Sequence, residues 1–411
     1  MHAGESVWRE LAPRTLARLL RTYGSDQFEL CEDAVQDALL DAFRQWTDRL
    51  PDDPQAWLAT VARRRYVDRV RADARRRERE TRATMLDAPL AQDTTETGSD
   101  GLDTGSDDAL LVLQLCCHPD LPRSGQVALT LRAVAGLTTR QIANAYHVPE
   151  ATIAQRITRS KRRLTELDRA FPQPQHVHER LAPVLDVLYV MFTEAHHTTS
   201  GAPAQDTDLA AEAIQLARTL RNAAPDSTEA AGLLALMLLT EARHPARVGP
   251  RGQLIPLDEQ DRHRWHRPFI DEGLAMLDEV TPGATPGPYL LQACIAGLHA
   301  AAADAEATDW DEIHALYTVL EHQTLGRNPT ITLNRIVAQS MVEGPRVGLA
   351  ALEVLAHEHP QLARLDSVRA HLLERSGRID EAIAAYQRAI RVTVNVAEQQ
   401  YLRHRLHRLK R

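Results

Sequence analysis

Apolar residues recur along this chain at intervals of three and four, and no stretch alternates with period two and β-branched enrichment, so the pattern predicts an all-α protein without strands. Leu11, Leu16, Leu19 and Leu20 make one early stripe, and Ala34, Val35, Ala38, Leu39, Ala42 and Phe43 make a second. Between Gln55 and Arg71 a third stripe of Trp57, Val61, Ala62, Val67 and Val70 leaves the arginines and Tyr66 to cover the rest of the helix. The periodicity breaks between Thr81 and Asp108, where glycines, hydroxyl residues and seven acids against Arg82 cannot repay the entropy of ordering. It breaks again from Phe171 to His178, where Pro172 and Pro174 disfavour helix. The expected domains are therefore 1–80, a flexible acidic linker at 81–108, a second module at 109–170, and a helical extension at 171–411.

The clearest local signal runs from Leu137 to Leu164 and reads as a helix-turn-helix. Thr138 or Thr139 can cap a first helix that buries Ile142 and the small Ala143 at the crossing, and His147 to Glu150 make the turn. Ile153 and Ile157, four apart, form the buried stripe of the second helix, leaving Thr152, Gln155, Arg156, Arg159, Lys161 and Arg163 outside it. A helix of that kind can lie in the major groove, where Gln and Arg read base edges and neighbouring arginines neutralise phosphates.

The extension carries a repeat. Ala370, Gly377, Ala382, Tyr386 and Ala389 have the spacing of the tetratricopeptide helical hairpin, in which small residues let paired helices approach. Ala338, Ala350 and Val354 repeat that spacing with a 32-residue offset, and Asp311 to Leu320 resembles another second helix. Further upstream, Ala213, Ala217, Leu220 and Pro225, followed by Leu234, Ala235 and Leu238, read as one second helix running into the next first helix.

Charge changes the picture where it is unevenly placed. The whole chain of 411 residues has a formal charge of −8. Yet Asp26 to Asp53 holds nine acids against Arg44 and Arg49, whereas Arg63 to Arg79 holds nine arginines against three acids. A third block, Gln155 to Arg163, carries five cations and no acid. Two basic blocks, the first interleaved with aromatics, suit phosphate neutralisation and the stacking of exposed bases.

Glu32-Asp33-Ala34-Val35-Gln36-Asp37, then Trp57-Leu58, Val61-Ala62-Arg63, Asp68 and Arg71, then the acidic linker and the helix-turn-helix, together resemble bacterial sigma factors of the extracytoplasmic-function group. The resemblance covers residues 5–170 in order, and the remainder resembles the helical-repeat extension of one subgroup. It implies docking on the β′ clamp of core RNA polymerase through Asp33, Gln36 and Asp37, with the β flap as a second polymerase contact. The −10 element would be held and melted by Trp57, Arg63, Arg64, Tyr66 and Arg71, with the loop at 50–55 able to take a flipped base. The −35 element would be met by Arg140, Thr152, Gln155, Arg156, Arg159, Lys161 and Arg162, with Gln155 and Arg159 on base edges. The chain departs from the family pattern at Arg64, where asparagine is usual, and at Ala154-Gln155, where a basic residue and serine are usual. Its promoter preference is therefore its own.

Other chemistries find little purchase. The longest apolar run, Ala230 to Leu239, is half the roughly 20 residues a bilayer span needs, and the first residues lack an export pattern, so the expected compartment is the cytoplasm with no membrane partner. Cys116-Cys117-His118 has no second ligand pair at a zinc-site spacing, and the pairs His196-His197, His263 with His266, and His404 with His407 lack carboxylate partners, so no metal or cofactor is expected. Neither a phosphate-binding Gly-x-x-x-x-Gly-Lys loop nor a Gly-x-Ser-x-Gly elbow is present, and no enzyme activity is expected. The extension is expected to take a regulatory protein or ligand. The alternative organisation is a stand-alone helix-turn-helix regulator with a solenoid sensor.

Overall fold

A computed structural model of the chain describes residues 3–46, 50–84, 105–146, 148–166, 181–198, 209–249, 253–362, 364–393 and 395–410. Most of the linker expected at 81–108, and the proline-containing segment 171–178, lie outside these residues. The described residues are helical, with one isolated antiparallel bridge between Val248 and Leu254. The chain divides into two compact units, the first running to Glu194 and the second holding nearly all of the rest.

The first unit contains α1 (Ala3–Tyr23), α2 (Phe28–Gln45), α3 (Pro54–Thr84), α4 (Gly105–Cys116), α5 (Arg123–Ala133), α6 (Thr139–Ala145), α7 (Glu150–Glu166) and most of α8 (Leu181–Thr198). Leu11, Leu16, Leu19 and Leu20 are buried as the stripe predicts. On α2 the stripe is narrower than expected. Phe28, Cys31, Ala34, Val35, Ala38 and Ala42 are buried, whereas Phe43 is 74% exposed, because 3.6 residues per turn carries it one step past the inward face. On α3 the inward residues are Leu58, Ala59, Ala62 and Tyr66, and Val70 is on the surface. Tyr66 thus lies on the opposite side of the helix from that expected, stacked on Tyr23 with ring centroids 3.9 Å apart. The two N-terminal modules share one unit: α1 packs on α4 and α2 packs on α7.

The second unit continues with α9 (Leu209–Ala223), α10 (Thr228–Glu241), the single turn α11 (His244–Arg247), α12 (Arg267–Val280), α13 (Pro288–Ala301), α14 (Trp310–Gln323), α15 (Pro329–Val342), α16 (Pro345–Glu358), α17 (Leu365–Arg375), α18 (Ile379–Val392) and α19 (Val396–Leu409). From α12 onward each helix packs on the next in sequence, the nearest-neighbour stacking of a solenoid. α10, buried along most of its length, packs on both α12 and α13. Gly232 makes the α10–α13 crossing possible, since a Cβ there would stand 2.6 Å from the Leu290 backbone. The Glu229 carboxylate then accepts from the backbone N–H of Tyr289 and Leu290, each at 3.0 Å, and so caps the N-terminus of α13.

The repeat expected at the C-terminal end is realised in α17 and α18. Ala370, Ala382, Tyr386 and Ala389 are buried, and Gly377 takes the turn with φ +75°. The copy expected in α16 is not built as its spacing implied. Val354 is 61% exposed, and Gly348, Leu349, Leu352 and Leu355 form the inward face. Ala213, Ala217, Leu220, Leu234, Ala235 and Leu238 are all buried, as expected of paired helices.

Candidate nucleic-acid interface

α6 and α7 form the helix-turn-helix from local signals. Thr138 and Gln141 make a reciprocal cap: Gln141 N–H donates to Thr138 Oγ1 at 3.2 Å, and Thr138 N–H donates to Gln141 Oε1 at 2.9 Å. Val148 N–H donates to Ala143 O at 3.1 Å across the turn. Ile142, Ala143, Ile153, Ile157 and Leu164 are buried, which fixes the outward face of α7. Gln155, Arg159 and Arg162 are exposed there, Thr152 is partly exposed, and Arg140 is exposed on α6. Arg156 is half-buried in a groove of about 390 Å³ that it lines with Tyr146, Ile153 and Val190 of α8. Beside that groove Arg123 pairs with Asp186 of α8 at 2.7 Å.

Lys161 departs from the expected outward position. It is 8% exposed, and its ammonium contacts Glu32 Oε2 directly and Asp33 Oδ1 at 3.2 Å on α2. Arg132 Nε of α5 adds an ion pair 3.3 Å from Glu32 Oε1. Burial pulls the Lys161 ammonium down, but the Glu32 and Asp33 carboxylates outweigh it and hold its pKa above the ordinary value. Glu32 is 1% exposed, so this clasp between α7 and α2 is desolvated.

The acids of α2 are also engaged from α3. Arg69 donates to Asp33 Oδ2 at 3.1 Å and to Asp37 Oδ2 at 2.7 Å, and Arg65 Nε donates to Asp41 Oδ2 at 2.9 Å. Asp33 therefore faces both Arg69 and Lys161, while Gln36 is partly exposed between these pairs. Leu40 and Phe43 of the same helix are 55% and 74% exposed, an apolar patch beside the acids that the stripe pattern did not single out.

On α3, Arg63, Arg64 and Arg71 are exposed, whereas Trp57 is half-buried edge-on to Trp46 at 5.1 Å between centroids. Asp53 caps the start of this helix by accepting from Ala56 N–H at 2.9 Å. Tyr66 is available to no base in this arrangement, and its phenol is pushed up to about 12, by burial first and then by nearby Cys31 and Tyr23. A cleft of about 510 Å³ lies beside it, lined by Tyr23, Gln27, Leu30, Asp26 and Asp73, and those acids disfavour a phosphate there.

Cys116 and Cys117 are buried, and burial pushes the Cys117 thiol up to about 12, so both are inert packing residues. Among the described residues no group of three His, Cys, Asp or Glu is gathered in metal-binding geometry, and no helix is long and apolar enough to cross a membrane.

Three family models match the chain. Residues 11–76 match "Sigma-70 region 2", residues 115–164 match "Sigma-70, region 4", and residues 180–281 match a family of unknown function. An uncharacterized protein of Rhizobium meliloti (strain 1021) is 40% identical over 98% of this chain and 96% of its own length. The ECF RNA polymerase sigma factor SigK of Mycobacterium ulcerans (strain Agy99) is 30% identical over 34% of this chain and 71% of its own. Among solved structures, a thermophilic TPR protein of Thermus thermophilus aligns with 49% of this chain and 91% of its own, at 17% identity and a TM-score of 0.33.

Proposed function

The chain belongs to the extracytoplasmic-function sigma factors of the sigma-70 family, and on that premise we propose that it docks on core RNA polymerase through α2 and directs it to promoters read by α3 and α7. The observation that carries the promoter reading is the outward face of α7, where Gln155, Arg159 and Arg162 stand exposed over a buried stripe. Gln155 and Arg159 lie toward base edges of the −35 element; Arg140 and Arg162 meet phosphates. Arg63, Arg64 and Arg71 follow the backbone of the −10 strand as it opens, with Trp57 beside them. The protein performs no chemistry in this scheme, because polymerase supplies the catalytic site.

Arg159→Ala is expected to cost about 1–3 kcal/mol of discrimination between matched and mismatched −35 sequences. Arg162→Ala is expected to weaken all promoters alike and to shallow the salt slope by about 0.9. Binding isotherms on paired promoters at several salt concentrations separate the two; an equal loss for both variants on both sequences overturns the assignment.

Docking on the β′ clamp uses Asp33, Gln36 and Asp37 with the apolar Leu40 and Phe43 alongside. Glu32 and Asp33 are clasped by Lys161 in the closed form, so polymerase and α7 compete for one acidic surface. Opening the clasp serves both ends of the process, since it takes Lys161 off Asp33, leaving the pairing with Arg69 in place, and releases Lys161 toward DNA. The extension after Glu194 is a regulatory or docking module. A chain ending at Glu194 is expected to change run-off transcription by core polymerase, and unchanged activity with unchanged partners would remove that role.

A further inference from the structure

In the second unit, several arginines that face neighbouring helices are matched by carboxylates. Arg335 Nε meets Glu321 at 2.7 Å, Arg369 Nε meets Glu353 at 2.9 Å, and Arg405 Nη2 meets Glu374 at 2.7 Å. The segment 242–266 departs from this rule. It leaves the end of α10, forms α11, folds back through the Val248–Leu254 bridge, and returns so that His266 N–H donates to Ala242 O at 2.8 Å. Arg243 stands at one end of this loop and Arg262 near the other, and neither has a carboxylate within ion-pair distance among the described residues.

Arg262 is held rigidly. Its Nη1 donates to His299 O at 2.7 Å and Ala302 O at 2.6 Å, the terminal carbonyls of α13, and its guanidinium lies 4.7 Å from the Trp265 ring centroid. Trp265 is 6% exposed, yet its Nε1–H has no acceptor. His299 sits edge-on to Trp310 at 5.2 Å. The charges gathered here repel one another. Burial first, then Arg247 and Arg262, lower Arg243 to about 10 against the opposing pull of the Tyr317 phenol. Burial, then Arg243 and Arg262, depress His299 to about 4. Asp304 partly offsets the charge of Arg262, and Glu241 that of Arg247.

We propose that Arg243, Arg262 and the Trp265 indole form a binding site for a phosphate-type oxyanion, free or as a small organic ester, in the helical extension. A desolvated guanidinium without a counter-ion, as at Arg243, is costly, and an anion that accepts from it offsets that cost. The guanidinium fork matches two oxygens of a tetrahedral oxyanion, and the indole N–H supplies a third donor. With Arg247 also close by, the excess of arginine charge favours a dianion over a carboxylate, while His299, depressed to about 4, stays neutral near pH 7.

The test uses the full chain at fixed ionic strength, with inorganic phosphate, glycerol phosphate or acetate as probe, read by thermal unfolding and titration calorimetry. Phosphate and its ester are expected to raise Tm where acetate does not. Tighter ester binding assigns an organic source, and equal binding assigns the free anion. Arg243→Met is expected to unfold at a higher temperature than the native chain in chloride alone, because it removes an uncompensated cation, and to bind phosphate at least tenfold more weakly. Arg346→Met, on the exposed start of α16, is expected to behave as the native chain. Equal stabilisation by acetate and phosphate overturns the proposal, as does an Arg243→Met chain that is less stable in chloride and keeps its response to phosphate. Should Arg243→Met not fold, Arg243→Lys keeps the charge without the fork, and undiminished phosphate binding by it overturns the site.

Discussion

Lys161→Glu is expected to open the clasp between α7 and α2. The substitution sets a third carboxylate against Glu32 and Asp33, of which Glu32 is 1% exposed. Breaking a buried ion pair by removing one partner costs about 3–5 kcal/mol, because the remaining charge stays desolvated. At the lower end that shifts a closed population by about two orders of magnitude. Energy transfer between dyes on the exposed Arg44 and Arg159 should report a longer distance, and affinity for core polymerase should rise as Asp33 is freed of Lys161. The control is Glu32→Leu with Lys161→Met and Arg132→Met, which replaces all three charges by apolar groups of similar volume; such exchanges are often neutral or stabilising, so the closed distance should return. An unchanged dye distance in Lys161→Glu, with unchanged polymerase affinity, would remove the clasp from the mechanism.

Tyr386→Ala should have the largest effect on the extension. Tyr386 is 1% exposed between α17 and α18, and its hydroxyl donates to Glu374 Oε2 at 2.6 Å. Burial first, then the Glu374 carboxylate, push the phenol well above its usual range, so it remains a protonated donor. Emptying such a site costs about 3–5 kcal/mol. Tyr386→Phe keeps the ring and loses only the bond to a charged acceptor, about 1.5–3 kcal/mol. Amide exchange across α17 to α19 is the measurement of choice, since a chain of two units does not unfold in one step. Unaltered protection of α18 in Tyr386→Ala would refute this packing.

The two predictions differ in how far their residues were legible beforehand. Tyr386 was marked by its spacing from Gly377, Ala382 and Ala389, because a helical hairpin brings residues a few turns apart into contact and so writes its packing into local periodicity. The helix-turn-helix was legible for the same reason: the Thr138–Gln141 cap, the crossing Ala143 and the Ile153–Ile157 stripe are all settled within two helices. Legibility failed where a side chain's direction depends on a distant partner. Tyr66 reads as an exposed aromatic among arginines, but Tyr23, on another helix, turns it inward. Val354 fits the repeat spacing, but Gly348 and Leu352 take the inward face.

The sequence by itself determined an all-helical chain, its order of acidic and basic helices, the outward face of α7 at Gln155, Arg159 and Arg162, and the Tyr386 hairpin. Each follows from periodicity, capping or charge within one or two elements. Only the tertiary structure decided that Lys161 meets Glu32 on a helix far back in the chain, and that Arg243, Arg262 and His299 gather without a matching acid. Those pairings are set by how helices far apart in the chain stack and cross. Burial then multiplies their electrostatic consequence, since a charge is weakly felt in water and strongly felt where water is excluded.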